Sequence, residues 1–186
     1  MFSYKGDRDY IHSSDIINFI NRNYLYNKID IKFYKLLRFQ PKIRLINKLG
    51  NSRGVNIIAK IEKNKIEKFI LFYETKLKVK NDYSFDESLL SKYFKVNKKN
   101  IKCDFETEIK FIDIIVSMTK LWHLKNLDKR KNWFVARLNL FKKINEKKRK
   151  NINIKVKKIK YDKFTESEII IDKSIYGKIY FHENAL

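Results

Sequence analysis

One cysteine, one proline, four glycines and three histidines are all that this 186-residue chain has of the residues that most often announce a chemistry. Cys103 alone cannot build an internal disulfide framework or a cysteine zinc site, and a lone thiol suits a reducing compartment. So few glycines leave no glycine-rich phosphate loop, and His12, His123 and His182 are not spaced as metal ligands on one helix. Neither a metal nor a redox cofactor is therefore expected. No apolar run approaches the roughly 20 residues that cross a bilayer. Met1 to Tyr10 is polar, unlike a signal peptide, so a soluble, cytoplasmic protein without membrane contact is expected. No Pro/Gly-rich linker separates the parts of the chain, which predicts halves that pack against each other.

What the chain has in quantity is apolar and basic side chains. Hydrophobic residues make up 44% and aromatic residues 15% of the sequence, enough for a genuine core in one ordinary domain or two small fused ones. The formal net charge is +22, which favours acidic partners because clustered cations bind phosphate by releasing counterions. Lysine outnumbers arginine about fourfold, alongside abundant Ile, Asn, Tyr and Phe, as an AT-rich genome would impose. Arginine is the side chain suited to bidentate phosphate and guanine contacts, so its scarcity weakens a nucleic-acid reading. The densest basic run, Lys142 to Lys150, falls where a solvated loop between strands is expected.

The order of elements runs through twice. Ser13-Ser14-Asp15-Ile16-Ile17-Asn18-Phe19-Ile20 places capping residues before apolar positions at helical spacing, and strand-like segments follow at Ile29 to Phe39, Lys42 to Lys48 and Val55 to Tyr73. Phe111 to Met118 starts a second, more apolar helix continuing towards Trp122 and His123. Strand-like segments then follow at Trp133 to Phe141, Ile152 to Ile159 and Glu168 to Phe181. In Trp133 to Leu140, Phe134, Ala136, Leu138 and Leu140 lie on one face while Arg137 and Asn139 turn the other polar, the pattern of a half-buried strand. Ile152, Ile154 and Val156 alternate with polar residues, and a polar turn is expected near Asp172-Lys173, giving an antiparallel meander with one wet face. Between the halves, Asp86 to Phe94 predicts a short connecting helix begun by acidic residues. The predicted class is α+β, an antiparallel sheet wrapped around one or two central helices, with residues 1–80 and 81–186 as the two halves of one packed unit.

This arrangement resembles the double hotdog of acyl-thioester enzymes. In that family the helix starts beside a tunnel holding an acyl-pantetheine chain, with free N–H groups facing the thioester carbonyl. Gly6-Asp7-Arg8-Asp9-Tyr10-Ile11-His12 is similar to the glycine-aspartate then histidine string of MaoC-like enoyl hydratases. Asp7 and His12 have its spacing of five positions, while Asp9 and Tyr10 stand where that family has Asn-Pro. The histidine-Pro-Gly-His string of the other dehydratase branch is absent.

The resemblance implies an acid/base pair of Asp7 and His12, with N–H groups near Ser13 and Ser14 polarising the carbonyl. It also implies an acyl-CoA or acyl-carrier-protein partner, an oligomer being possible, and hydratase, dehydratase or thioesterase-like chemistry without a cofactor. Asp113 and Glu108 are candidate thioesterase-type carboxylates, and Trp122 and His123 candidate pocket residues. Plainer roles compete for each residue: a capped arm at His12, an acidic first turn at Asp113, core-edge packing at Trp122 and His123, a solvent-exposed ring at His182. The rival function is a lysine-rich RNA-binding protein without activity, which salt would weaken steeply.

Overall fold

The computed structural model describes residues 1–104, 109–127, 132–143 and 151–183. In chain order the elements are β1 (Tyr4–Lys5), α1 (Ser13–Asn23), β2 (Lys28–Phe33), β3 (Phe39–Ile46), β4 (Ile57–Lys63) and β5 (Ile66–Lys78). There follow β6 (Asp82–Tyr83), α2 (Ser88–Ser91), β7 (Phe94–Val96), β8 (Asn100–Cys103) and α3 (Phe111–Asn126). The chain closes with β9 (Trp133–Leu140), β10 (Ile152–Lys160), β11 (Phe164–Ile171) and β12 (Ser174–Glu183). Ten strands form one sheet in the order β3-β5-β4-β2-β9-β12-β11-β10-β8-β7, with every neighbouring pair antiparallel. The expected antiparallel sheet with few helices is what the chain builds.

The two helices bury different fractions of their surface because their sequences differ. In α1 the buried residues Ile16, Ile17 and Ile20 occupy one side, while Arg22 and Asn23 stay wet. Every residue of α3 from Phe111 to Thr119 is buried, so this helix, largely apolar but carrying Asp113, Ser117 and Thr119, belongs inside. It packs against α1, α2, β7, β8, β9 and β10. Phe19 of α1 meets Phe72 of β5 edge to face with ring centroids 6.2 Å apart, which ties α1 to the first half of the sheet. One core cluster runs through both halves, from Ile29, Ile31 and Phe72 to Leu138, Ile154 and Ile179.

β2 pairs with β9, Ile31 opposite Leu138 and Ile29 opposite Leu140, a seam that joins strands β2–β5 to strands β7–β12 in one sheet. Across this seam the Arg137 guanidinium donates two hydrogen bonds of 2.7 Å to the two carboxylate oxygens of Asp30. A helix followed by four strands occurs twice, α1 with β2 to β5 and α3 with β9 to β12, but the strand order differs between the two sets. In the first set β2 lies beside β4, and β5 separates β4 from β3. In the second, β9 lies beside β12, and β11 separates β12 from β10.

Several sequence expectations shift in the structure: the connecting helix expected over Asp86 to Phe94 covers only Ser88–Ser91, with Phe94 starting β7, and the first half of β9 buries Trp133 and Val135 in place of Phe134 and Ala136, because a register shift against β12 breaks the alternation. The strand expected over Ile29 to Phe39 ends at Phe33, because Asn56 accepts from the N–H groups of Tyr34 and Lys35 on its carbonyl and donates its side-chain amide to the Leu36 carbonyl. Those bonds curl residues 34–38 out of the sheet and drive Leu37 into the core. The segment Val55 to Tyr73 folds as a hairpin, with Asn64 and Lys65 both at positive φ as a two-residue primed turn requires. The turn expected at Asp172-Lys173 is of the same kind. Gly177 in β12 is indispensable for a different reason: a Cβ there would lie 2.2 Å from the carbonyl oxygen of Asn139 in β9.

Candidate functional site

The serines expected to cap α1 do not do so. His12 is the N-cap, in extended conformation, and its Nδ1 accepts from the Ser14 backbone N–H at 3.4 Å and lies 2.8 Å from Ser14 Oγ. Ser14 Oγ in turn is 3.1 Å from the ammonium of Lys5, which is ion-paired with Asp113 in the first turn of α3. Asn18, one helical turn past Ser14, donates to the other Asp113 oxygen at 3.4 Å. Lys5 also sits 3.7 Å above the Phe85 ring. All of His12, Ser14, Lys5, Asn18 and Asp113 are buried, forming a polar chain that ties the N-terminal arm, α1 and α3 together.

Donor counting fixes the direction of this chain. The Ser14 backbone N–H can only donate, so His12 Nδ1 accepts from it, while Ser14 Oγ accepts from the Lys5 ammonium and turns its own proton towards the same Nδ1. That nitrogen is therefore the unprotonated one, and the neutral imidazole carries its proton on Nε2. Burial holds the ring's pKa well below the usual histidine value, and the nearby cations Lys5, Arg8 and Lys120 push the same way. His12 is thus a neutral N–H donor at physiological pH.

It faces a cavity on the seam. Tyr10, His12 and Ser13 from the arm and α1, Phe33 of β2, Val116 and Lys120 of α3, and Trp133 and Val135 of β9 contribute to the lining. Its volume is about 40 Å³, and at roughly 10–15 Å³ per water-sized group it accepts about three or four heavy atoms. The Tyr10 ring stacks towards His12 at 6.5 Å and meets Phe134 edge-on at 5.8 Å. Lys120 is bridged to Glu87 at 2.8 Å, which also holds Arg8 at 2.6 Å. Trp133 is 5% exposed, and its indole N–H has no hydrogen-bond partner among the described residues. No carboxylate lines the cavity among the described residues.

The residues singled out by sequence scatter around this point. His12 and Ser13 line the cavity, while Ser14 and Asp113 stand behind His12 in the buried chain. Asp113 is engaged by Lys5 and Asn18 and does not line the cavity. Asp7 does not reach His12: Gly6 turns the backbone at φ +60°, and Asp7 is left exposed beside a surface depression shared with Asp82 and Tyr83.

Trp122 donates its indole N–H to the Asn97 carbonyl at 2.9 Å inside the core. His123 is fully buried, 2.6 Å from the Thr119 carbonyl through Nδ1 and 2.7 Å from Thr165 Oγ1 through Nε2, and its ring stacks on Trp133 at 4.1 Å. Burial lowers its pKa to about 4, which is the signature of a core histidine with both nitrogens engaged. His182 is half-buried in β12 and not the exposed ring expected, because β12 pairs on both sides.

Glu108 and the basic residues 144–150 lie outside the described residues. No group of three His, Cys, Asp or Glu able to hold a metal occurs among the described residues, and none of their helices is long and apolar enough to cross a membrane.

Lys5, Asn18 and Trp133 are the members of this constellation that the sequence reading missed. Asn18 left a trace, a polar residue four positions after Ser14 on the apolar side of α1. Lys5 left none, since nothing local separates it from the other lysines.

No protein-family model matches the chain, and no curated protein does. Among solved structures, a Thermobifida fusca protein assigned as a thioesterase II aligns with 94% of this chain and 87% of its own, at 8% identity and a TM-score of 0.46. The dehydratase domain of the CurK module of the curacin polyketide synthase aligns with 91% of this chain and 79% of its own, at 12% identity and a TM-score of 0.42. The corresponding CurH domain gives 92% and 82%, at 8% identity and a TM-score of 0.39. Scores this low carry no argument about activity.

Proposed function

We propose that this protein is a double hotdog-type acyl-thioester protein, its halves 1–80 and 81–186 closing on a seam cavity that takes the acyl end of the ligand. The observation that carries this reading is the cavity itself: a slot at the seam lined mainly by apolar side chains, with Lys35 and Lys120 also in its lining and one buried histidine offering it an N–H group. A thioester carbonyl oxygen is the acceptor that matches such a donor in an apolar enclosure. Hydratase or thioesterase chemistry would also need a base, and neither the exposed Asp7 nor the ion-paired Asp113 supplies one at the cavity. Binding with polarisation of the carbonyl is the activity this lining supports.

The rest of the ligand would run out past Tyr10 and Lys120 towards the solvent. Excess positive charge then favours an acyl-CoA or an acidic acyl carrier protein as the source of the thioester.

The test is calorimetric titration with propionyl-pantetheine, an uncharged thioester whose acyl group has four heavy atoms and which the basic surface cannot attract non-specifically. Saturable binding that weakens about tenfold in His12→Ala supports the reading, that factor being what one hydrogen bond of about 1.4 kcal/mol is worth. Absence of binding, or binding indifferent to His12→Ala, refutes it.

A further inference from the structure

The end of the sheet away from the seam cavity carries a row of exposed apolar side chains. Strand register brings them together: Lys28 of β2 stands opposite Glu62 of β4, Ile29 opposite Leu140 of β9, and Leu140 opposite Gly177 of β12. Residues 24–27, the turn between β4 and β5, Phe141 and Ile175 therefore lie at one end. There Leu25 is 66% exposed, Ile66 65%, Phe141 42% and Ile175 49%. Four strand spacings separate the start of β5 from the start of β12, so the row is roughly 20 Å long. The cavity is lined from the opposite end of the same strands, by Phe33, Ile57, Trp133 and Phe181.

Lysines collar this row. On either side of Phe141, Lys142 lies 4.0 Å above the Tyr176 ring and Lys143 5.7 Å above the Tyr26 ring. Lys63 and Lys65 are exposed beside Ile66, and Lys173 is exposed two residues before Ile175. None of these five lysines is ion-paired among the described residues. The carboxylates nearest in register are already engaged: Glu62 by Lys28 at 3.0 Å, Glu67 by Lys60 at 2.5 Å and Asp172 by Asn151 at 3.0 Å. This end is thus an apolar strip rimmed by unneutralised ammonium groups.

Three of the four apolar residues are aliphatic and all five cations are lysine, which selects among acidic partners. Single-stranded RNA is held by aromatic stacking and arginine, and protein interfaces favour aromatic residues and arginine over lysine. A lipid surface asks only for apolar tips that reach the acyl boundary and for lysines whose ammonium groups stay among the headgroups. We infer that this end of the sheet docks peripherally on an anionic lipid surface, with Leu25, Ile66, Phe141 and Ile175 entering the headgroup boundary and the lysines meeting the anionic headgroups. No described helix is long and apolar enough to cross a membrane, so the contact lies on the surface. It revises the expectation of no membrane contact and is independent of the acyl-thioester reading, since a docked molecule still turns its cavity end to the solvent.

A basic protein is drawn to anionic vesicles by charge alone, so the test reads insertion at a chosen point. Phe141→Trp places a reporter in the row, and Tyr161→Trp places one in the turn between β10 and β11 at the cavity end, where Tyr161 is 93% exposed. The buried Trp122 and Trp133 supply the wild-type baseline. With equimolar phosphatidylglycerol and phosphatidylcholine vesicles, the emission added at position 141 should shift to the blue and be quenched by brominated acyl chains, and that at 161 should not. Leu25→Trp replaces Phe141→Trp should the latter not fold. Leu25→Glu with Ile175→Glu should weaken vesicle co-sedimentation at least tenfold, because two apolar tips are lost and two like charges face the anionic surface. Absence of vesicle binding, binding without quenching at 141, or equal quenching at 141 and 161 would overturn the inference. So would polyuridylate binding that the double glutamate variant weakens while vesicle binding stays unchanged, the partner then being a nucleic acid.

Discussion

Removing either member of the buried ion pair between Lys5 and Asp113 should cost far more stability than removing both. Lys5 is 1% exposed and Asp113 5%, so neither is rescued by water once alone. In Lys5→Met the apolar stem survives but Asp113 keeps only the 3.4 Å contact from Asn18, and the Phe85 ring loses the cation above it. In Asp113→Leu, Lys5 keeps Ser14 Oγ and Phe85 but no counter-charge. Breaking one side of a buried pair costs roughly 3–5 kcal/mol, while replacing both partners by apolar groups is close to neutral. The double variant should therefore lose at least about 2 kcal/mol less than the sum of the singles. Urea unfolding followed by tryptophan fluorescence measures this. With a slope on the order of 2 kcal/mol/M, each single variant should move the midpoint down by about 1.5–2.5 M. Additive single variants, or singles within about 0.5 kcal/mol of wild type, would refute the buried chain that orients His12.

Three further outcomes follow from the geometry. His123 titrates near pH 4 when folded and near 6.5 when unfolded. Between those values the unfolded chain binds the extra proton, so stability falls as pH drops from 6.5 to 4, by up to roughly 3 kcal/mol from this group. Thermal denaturation across that range should show the slope, and His123→Gln should reduce it, the contribution of the likewise buried His12 remaining. Gly177→Ala forces a methyl against the Asn139 carbonyl in a paired strand, so it should destabilise by about 1–3 kcal/mol or more in the same urea assay. A tolerated alanine would mean that β9 and β12 do not approach so closely. Asp30→Ala removes a bidentate partner from Arg137, both partly exposed, and should cost only about 1 kcal/mol, less in high salt.

Periodicity carried the sequence reading where packing is local. The apolar stripe of α1, the largely apolar α3, the alternation in β10 and the Asp172-Lys173 turn were legible because burial there follows the period of the element. In β9 a register shift against β12 breaks the period, so that Trp133, Val135, Leu138 and Leu140 are buried and Phe134 and Ala136 are not. The end of β2 was not, since it is set by Asn56, a residue 23 positions beyond Phe33 that captures the backbone of the next segment. Strand order was equally hidden: whether β2 neighbours β4 or β5 depends on crossovers that alternation does not encode. At the site, the spacing string reached His12 but paired it with Asp7, which a positive-φ glycine leaves in solvent. The residues that do set its state, Ser14 at short range and Lys5 through Asp113 over 108 positions, are joined only by the fold.

The account turns on the seam cavity receiving a short acyl thioester. Methyl-labelled protein titrated with propionyl-pantetheine tests this directly. The account predicts saturable shifts confined to Ile57, Val116, Val135 and their neighbours, with the distant Ile175 unmoved and the response weakened about tenfold in His12→Ala. Shifts spread over the lysine-rich surface that vanish with salt, or no shift in the cavity methyls at all, would contradict it.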